Sequence, residues 1–224
     1  LVEDPINRMS WDDYFNHKFF EVPEDEKKEE LINRKKSSIK GDLPYTIDVV
    51  ESPENVAYYT NRVNINYENG DKYEGDFIDN LKDGKGTYFY KNGDKYVGEF
   101  FMGNKEGYGI YYYQDGERYE GHFKNDKKNG HGTYYYNNGD KYDGEFSDGL
   151  ANGRGTYYYN NGERYVGDYK NNKKEGHGIY FYSNGNRYIG PFKNGKKAGK
   201  GYVFRADGNR YEVNFVNNKI NGYG

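Results

Sequence analysis

The chain has 224 residues and a net charge of -3; 19% of its residues are aromatic, 29 of them tyrosine, beside 31 glycines and no cysteine. Aliphatic side chains are too scarce to fill an ordinary globular interior, so large rings with polar tips have to supply the buried surface. The missing cysteines exclude a disulfide framework and a thiolate metal site and fit a reducing compartment, and no apolar run reaches the roughly 18 residues of a membrane-spanning helix.

In chain order, residues 1–21 read Asp4-Pro5-Ile6-Asn7-Arg8-Met9-Ser10-Trp11, then Tyr14-Phe15-Asn16-His17-Lys18-Phe19-Phe20. This segment resembles the last helices of a Ser/Thr protein kinase C-lobe, where D-P-x-x-R-x-S/T precedes a helix ending in an H-P-F-like motif; Lys18 stands in place of the proline. The resemblance implies that Arg8 pairs with the acidic residue of an A-P-E motif and that Trp11, Phe15 and Phe19 pack the lobe. The alternative is a short amphipathic helix docked on the first repeat. The sequence contains no V-A-I-K strand behind a glycine-rich loop, no H-R-D loop and no D-F-G. No catalytic residue is therefore expected here, and a kinase domain would lie upstream. The chain starts at Leu1 and stops at Gly224 inside a repeat, which predicts a segment of a longer protein.

Residues 22–62 read as a linker. Pro23-Glu24-Asp25-Glu26 and the basic end Arg34-Lys35-Lys36 suit a helix dipole, with Leu31 and Ile32 almost its only apolar residues. Around Ile47-Asp48-Val49-Val50 and Val56-Ala57-Tyr58-Tyr59 apolar character returns, enough to cap the end of a repeat array.

Residues 63–224 repeat every 23 residues without insertion. Tyr-x-Gly-x-aromatic recurs from Tyr73-Gly75-Phe77 through Tyr119-Gly121-Phe123 to Tyr188-Gly190-Phe192 and degenerates at Tyr211-Val213-Phe215; Gly-x-Gly recurs from Gly84/Gly86 to Gly222/Gly224. Each unit reads as a β-hairpin. Asn-Gly, at Asn69-Gly70, Asn92-Gly93, Asn138-Gly139, Asn161-Gly162 and Asn184-Gly185, predicts a two-residue turn with both residues at positive φ. Tyr73, Gly75 and Phe77 alternate with Lys72, Glu74 and Asp76, giving one half-buried and one wet face. The central glycine predicts a close approach in which a ring of the paired strand lies over the backbone. The fold class is all-β: an elongated, single-layer antiparallel sheet of tandem hairpins, with a short helical segment at the N-terminus.

These units resemble the MORN (membrane occupation and recognition nexus) repeat family, whose members read Tyr-Glu-Gly-Glu-aromatic, then Gly-Lys-Gly-Thr-Tyr, then a polar residue and Gly. The resemblance implies stacked hairpins used in protein–protein interaction and in membrane-associated, cytoskeletal or ciliary scaffolding, and implies no substrate; the expected location is the cytoplasm.

A long repetitive surface suits binding rather than catalysis. The rings Tyr88, Tyr111, Tyr134, Tyr157 and Tyr180 are the candidate partner-binding residues, offered to an apolar helix stripe or an extended peptide. Net charges of -5 over 1–62, -6 over 63–148 and +8 over 149–224 make the array electrically polar along its length. That polarity admits an antiparallel homodimer, an acidic partner, or an anionic membrane met by Lys170, Lys173, Lys174, Lys193, Lys196, Lys197 and Lys200. Nucleic acid is disfavoured, because the acidic first half would repel phosphate. The Gly-x-Gly pairs and Gly195-Lys196-Lys197-Ala198-Gly199-Lys200 lack the Ser or Thr and the following helix that a phosphate loop needs. His131 and His177 stand two units apart, too far to share a metal, so no metal or cofactor is expected.

Overall fold

The computed structural model describes residues 45–50 and 61–221, with side chains from Arg62 onward. The kinase-like or helical segment 1–21 and the predicted helix of the linker lie outside the described residues.

The described chain is a single antiparallel sheet. Its strands are β1 (Tyr45–Val50), β2 (Asn61–Tyr67), β3 (Lys72–Ile78), β4 (Leu81–Phe89), β5 (Lys95–Phe101), β6 (Asn104–Tyr112), β7 (Arg118–Lys124), β8 (Lys127–Tyr135) and β9 (Lys141–Ser147). They continue as β10 (Leu150–Tyr158), β11 (Arg164–Lys170), β12 (Lys173–Phe181), β13 (Arg187–Lys193), β14 (Lys196–Lys197), β15 (Gly199–Phe204), β16 (Arg210–Val216) and β17 (Lys219–Ile220). Each strand pairs with the next in sequence, as hairpin repeats demand, and the sheet starts ahead of the repeats because β1 and β2 pair with each other and β2 with β3. β14 and β15 form one interrupted partner of β13; the break at Ala198 lies against Pro191, which brings no N–H to the ladder.

The two edges of the array use different turns, and the Asn-Gly dipeptides do not form the turn expected of them. At Tyr90-Lys91-Asn92-Gly93-Asp94 the Gly93 N–H donates to the Tyr90 carbonyl and the Tyr90 N–H to the Asp94 carbonyl, while Gly93 alone takes positive φ, +93°. This is a three-residue loop closed by a glycine bulge, and its Asn stays at negative φ. The two-residue, doubly positive turns occupy the opposite edge, as at Asn125 (φ 47°) and Asn171-Asn172 (φ 48° and 64°). Asparagine and aspartate tolerate that region where other side chains resist it.

The two glycines of Gly-x-Gly are required for two reasons. Between the pairs Gly98↔Gly109 and Phe100↔Lys105, three residues of β6 face one of β5, and Gly107 at φ +66° makes that bulge. Gly109 is needed for space: a Cβ there would lie 2.4 to 2.6 Å from the Tyr96 ring and hydroxyl. Tyr96 is fully buried because its ring lies across Gly98 of its own strand and Gly109 of the next, with its hydroxyl donating to the Glu99 carbonyl at 2.9 Å. The ring over the Tyr-x-Gly glycine thus belongs to the same strand as that glycine, two residues earlier, and extends to the second Gly of Gly-x-Gly on the paired strand. The same contact recurs at Tyr73, Tyr119, Tyr142, Tyr165 and Tyr188, each 0 to 2% exposed.

Between these tyrosines stand the aromatic residues of the following Tyr-x-Gly-x-aromatic motifs, edge to face. Tyr73, Phe100, Tyr96, Phe123, Tyr119, Phe146, Tyr142, Tyr169, Tyr165, Phe192, Tyr188 and Phe215 form a run with centroids 4.7 to 5.5 Å apart. Val63 and Ile65 of β2 close one end of this row. Every buried apolar side chain among the described residues lies on this one face, so the core is a strip of rings laid on the sheet.

Gly121→Ala should therefore destabilise the array by about 3 kcal/mol, since the new Cβ would sit 2.5 Å from the Gly132 Cα and 2.6 Å from the Tyr119 hydroxyl. Chemical denaturation of variant and parent checks this.

Candidate interaction surface

The register that buries Tyr96 places Tyr88 and Tyr111 directly beside it on β4 and β6. The same holds for Tyr134, Tyr157 and Tyr180, so all five sequence-predicted rings share the face of the buried strip and are half-buried. They do not stand alone. Tyr90, Tyr113, Tyr136, Tyr159 and Tyr182, two residues further on at the loop, pack against them. From Tyr67 to Tyr182 eleven tyrosines form an unbroken zigzag with centroids alternating between 4.6–4.8 and 5.6–5.8 Å. Sequence reasoning missed the second five, although they recur at the same 23-residue step.

Each ring is pinned by its hydroxyl. Tyr88 donates to Asp71 and Tyr111 to Asp94, both at 2.8 Å, Tyr134 to Glu117, Tyr157 to Asp140 at 2.8 Å, and Tyr180 to Glu163 at 2.6 Å. The same aspartates cap the next unit's loop, Asp94 accepting from the Gln114 N–H at 2.9 Å. Burial works to raise the Asp94 and Asp140 carboxyls, but the backbone and tyrosine hydrogen bonds outweigh it and hold both below the usual range.

On the other flank lies a row of lysines whose function sequence reasoning also missed. Lys82, Lys105, Lys128, Lys174 and Lys197 are the second residues of β4, β6, β8, β12 and β14 and run across the rings. Lys105 Nζ lies 5.4, 5.7 and 5.2 Å from the Tyr90, Tyr96 and Tyr111 centroids and donates to the Tyr90 hydroxyl at 2.8 Å. Burial pulls the Lys105 ammonium below its usual range, and burial together with repulsion from Lys197 brings Lys174 down to about 8. Ala151 interrupts the row.

The seven lysines predicted as a membrane-facing set therefore divide. Lys174 and Lys197 are built into the ring face, where Lys197 Nζ lies 4.6 Å from the Tyr182 centroid, and they are not free loop charges. Lys170, Lys173, Lys193, Lys196 and Lys200 are exposed. The opposite face of the sheet alternates cations and rings, with Lys95 over Tyr112, Arg118 over Tyr135, Lys141 over Tyr158 and Arg164 over Phe181 at 4.2 to 4.5 Å. Among the described residues no group of three or more His, Asp or Glu could hold a metal, and no helix is long and apolar enough to cross a membrane. His131 pairs with Asp143 at 3.2 Å.

The repeat unit that generates this surface matches the MORN repeat profile seven times in succession, at residues 73–95, 96–118, 119–141, 142–164, 165–187, 188–210 and 211–224. The chain belongs to the MORN repeat family. No curated protein is a significant sequence match to this MORN chain. Among solved structures, the array is similar to the TCP domain of Drosophila melanogaster SAS-4, solved with a proline-rich motif of Ana2, at 14% identity and a TM-score of 0.44 over 74% of this chain and 96% of that one. It is similar also to the TCP10 domain of Danio rerio CPAP, at 14% identity and a TM-score of 0.45 over 75% of this chain and 83% of that one. The MORN match does not reach residues 1–21.

The ring strips of the MORN array set its response to alkali. Burial raises the phenols of Tyr73, Tyr96, Tyr119, Tyr142 and Tyr165 above their ordinary range and those of Tyr90 and Tyr188 to about 12. Above pH 10 the unfolded chain has released phenolic protons that the folded chain keeps, so stability falls as pH rises. Lys174 acts oppositely, adding stability between about pH 8 and its unfolded value, but it is one group against many. Urea midpoints should hold to about pH 10 and drop steeply by pH 12, with phenolate absorbance rising together with loss of the sheet's circular dichroism.

Proposed function

We propose that this array is a non-catalytic protein-interaction scaffold whose tyrosine zigzag receives an elongated partner. The observation that supports this reading is the continuous run from Tyr67 to Tyr182, half-buried and fixed in orientation by carboxylates on one side and lysines on the other. Rings held in this way lose little further freedom on binding and bring a large apolar surface with hydrogen-bonding tips, the combination that dominates protein interfaces. Equivalent rings of successive units lie about 10 Å apart, two strand spacings, which is the rise of about seven residues of an α-helix. The partner is accordingly an amphipathic helix with an apolar side chain every seventh residue, or an extended segment of matching period. A second array and an anionic membrane are the competing occupants, and the seating of Lys174 and Lys197 among rings takes two charges from the membrane reading.

The test uses the full chain as bait in extract of its own cells, comparing the parent with Tyr111→Ala, Tyr134→Ala and Tyr157→Ala and with the triple reversal of Lys170, Lys193 and Lys196 to Glu. Each ring variant should weaken the specific partner by about 2 kcal/mol, roughly thirtyfold, with the melting temperature showing that the sheet persists. The charge reversals should leave equilibrium affinity nearly unchanged. Capture that survives the ring variants and vanishes with the charge reversals contradicts the proposal, as does sedimentation of the parent with anionic liposomes lost on charge reversal.

A further inference from the structure

The face of the sheet opposite the tyrosine zigzag carries, in each unit, a cation, the residue two positions later beside it, and a ring on the paired strand. In the unit of Arg118 the residue two positions on is Glu120, which forms an ion pair with Arg118 at 3.0 Å, and the ring is Tyr135, whose hydroxyl donates to Glu120 at 3.4 Å. Acids recur at the same position as Glu74, Asp143 and Glu212. The neighbouring units of Arg164 and Arg187 differ in linked ways: Val166 and Ile189 replace the acid, and Phe181 and Phe204 replace the tyrosine. Both guanidiniums keep their seats over a ring, 4.2 and 4.7 Å from the centroids, yet neither has an acidic partner among the described residues. Val97 makes the exchange once more, but beside a lysine and with Glu74 and Glu120 in the units on either side.

Register sets the replaced residues side by side. Arg164, Phe181, Arg187 and Phe204 stand opposite one another across β11, β12, β13 and β15, and Val166, Ile179, Ile189 and Tyr202 form the adjoining row, two residues along each strand. Both arginines are exposed, and Val166 and Tyr202 are each 39% exposed, so the patch is open to a partner. The acids beside it on this face are already paired, Asp168 with Arg154 at 3.4 Å and Glu212 with Lys200 at 3.5 Å. An exposed apolar row thus lies against two guanidiniums that have no counter-charge. A contiguous apolar patch rimmed by charge marks an interaction surface.

We propose that this patch is a second docking surface, for an acidic amphipathic helix of a protein partner. Its carboxylates take the place on Arg164 and Arg187 that Glu120 takes on Arg118, and its apolar stripe covers Val166, Ile179, Ile189 and Tyr202. The two arginines stand two strand spacings apart, about 10 Å, which matches carboxylates seven residues apart on a helix. Apolar residues three or four positions from those carboxylates fall on the same side of the helix and meet the apolar row. A helix is also the element that covers a sheet's face. Each guanidinium, held flat by its ring, presents a planar fork suited to a carboxylate with little further ordering. The net charge of +8 over residues 149–224 selects an acidic partner over a basic one. The surface lies on the opposite face from the tyrosine zigzag and does not depend on what the zigzag binds.

The full chain, carrying 15N-labelled arginine and 13C-labelled valine and isoleucine methyls, is titrated with a stapled helical peptide that bears Glu at two positions seven apart and Leu four residues after each. The same peptide with Gln in place of both Glu is the uncharged control. Saturable shifts should fall on the Nε–H groups of Arg164 and Arg187 and on the methyls of Val166, Ile179 and Ile189, and should leave Arg118, already paired, unmoved. The Gln peptide should bind at least tenfold more weakly. The double substitution Val166→Glu with Ile189→Glu, which installs the acid that other units carry at this position, should lower the affinity at least tenfold with the melting temperature kept. Equal binding of the Gln peptide, shifts centred on the tyrosine zigzag, or an unchanged affinity in the double variant would each overturn the proposal. So would the absence of saturable peptide binding, whether or not phosphatidylserine vesicles move the same residues.

Discussion

The structure depends on one contact, a tyrosine ring lying flat across two glycines of neighbouring strands. A single-layer sheet has no second layer to bury its apolar face, so the face has to cover itself. The Tyr96 ring does so by occupying the space that side chains at Gly98 and Gly109 would take, and the phenol tip turns back to the Glu99 carbonyl. With its polar end satisfied inside the strip, a residue that usually keeps one end wet becomes fully buried. Repetition of this contact explains a composition of 29 tyrosines and 31 glycines that would otherwise be a poor recipe for a core.

The remaining rows follow from it. Once the buried tyrosine lies over the glycine row, the ring on each adjoining strand is crowded toward the loop edge, where Tyr88 and Tyr90 or Tyr111 and Tyr113 meet at 4.6 Å. The aspartate or glutamate after each loop fixes the first of these rings and, except where Ala151 interrupts the row, the lysine of the next hairpin fixes the second. Each unit is thereby tied to its successor by hydrogen bonds spanning 15 to 21 residues, at the Asp94–Gln114 loop contact and again at Lys105 N–H to Asp126 on the opposite edge. Stability of such an array is carried mainly between neighbours.

Much of this was legible in the sequence, and what was not has identifiable physical causes. The 23-residue step fixes the hairpins, the antiparallel sheet and the column of Tyr88, Tyr111, Tyr134, Tyr157 and Tyr180. Asn-Gly misled because it is the strongest short hairpin signal, yet closure by Tyr90 and Asp94 makes the loop one residue longer and leaves positive φ to the glycine alone. The Lys173-Lys174 and Lys196-Lys197 pairs look like loop charges, but counting back six residues from Tyr180, in steps of two, places Lys174 on the ring face. The bulge at Gly176 preserves that parity. The ring over each glycine was foreseeable as a close approach, whereas its origin in the same strand required the packing itself.

The contact at the centre of this account is most directly measured by proton NMR of the glycines. A ring lying flat on a Cα shields the protons beneath it, so at least one Hα of Gly98, Gly109, Gly121, Gly132, Gly144 and Gly155 should resonate well upfield of the loop glycines Gly116 and Gly162, where a side chain would point into open space. Glycine Hα shifts in the ordinary strand range at those six positions would contradict the packing on which the rest of the structure depends.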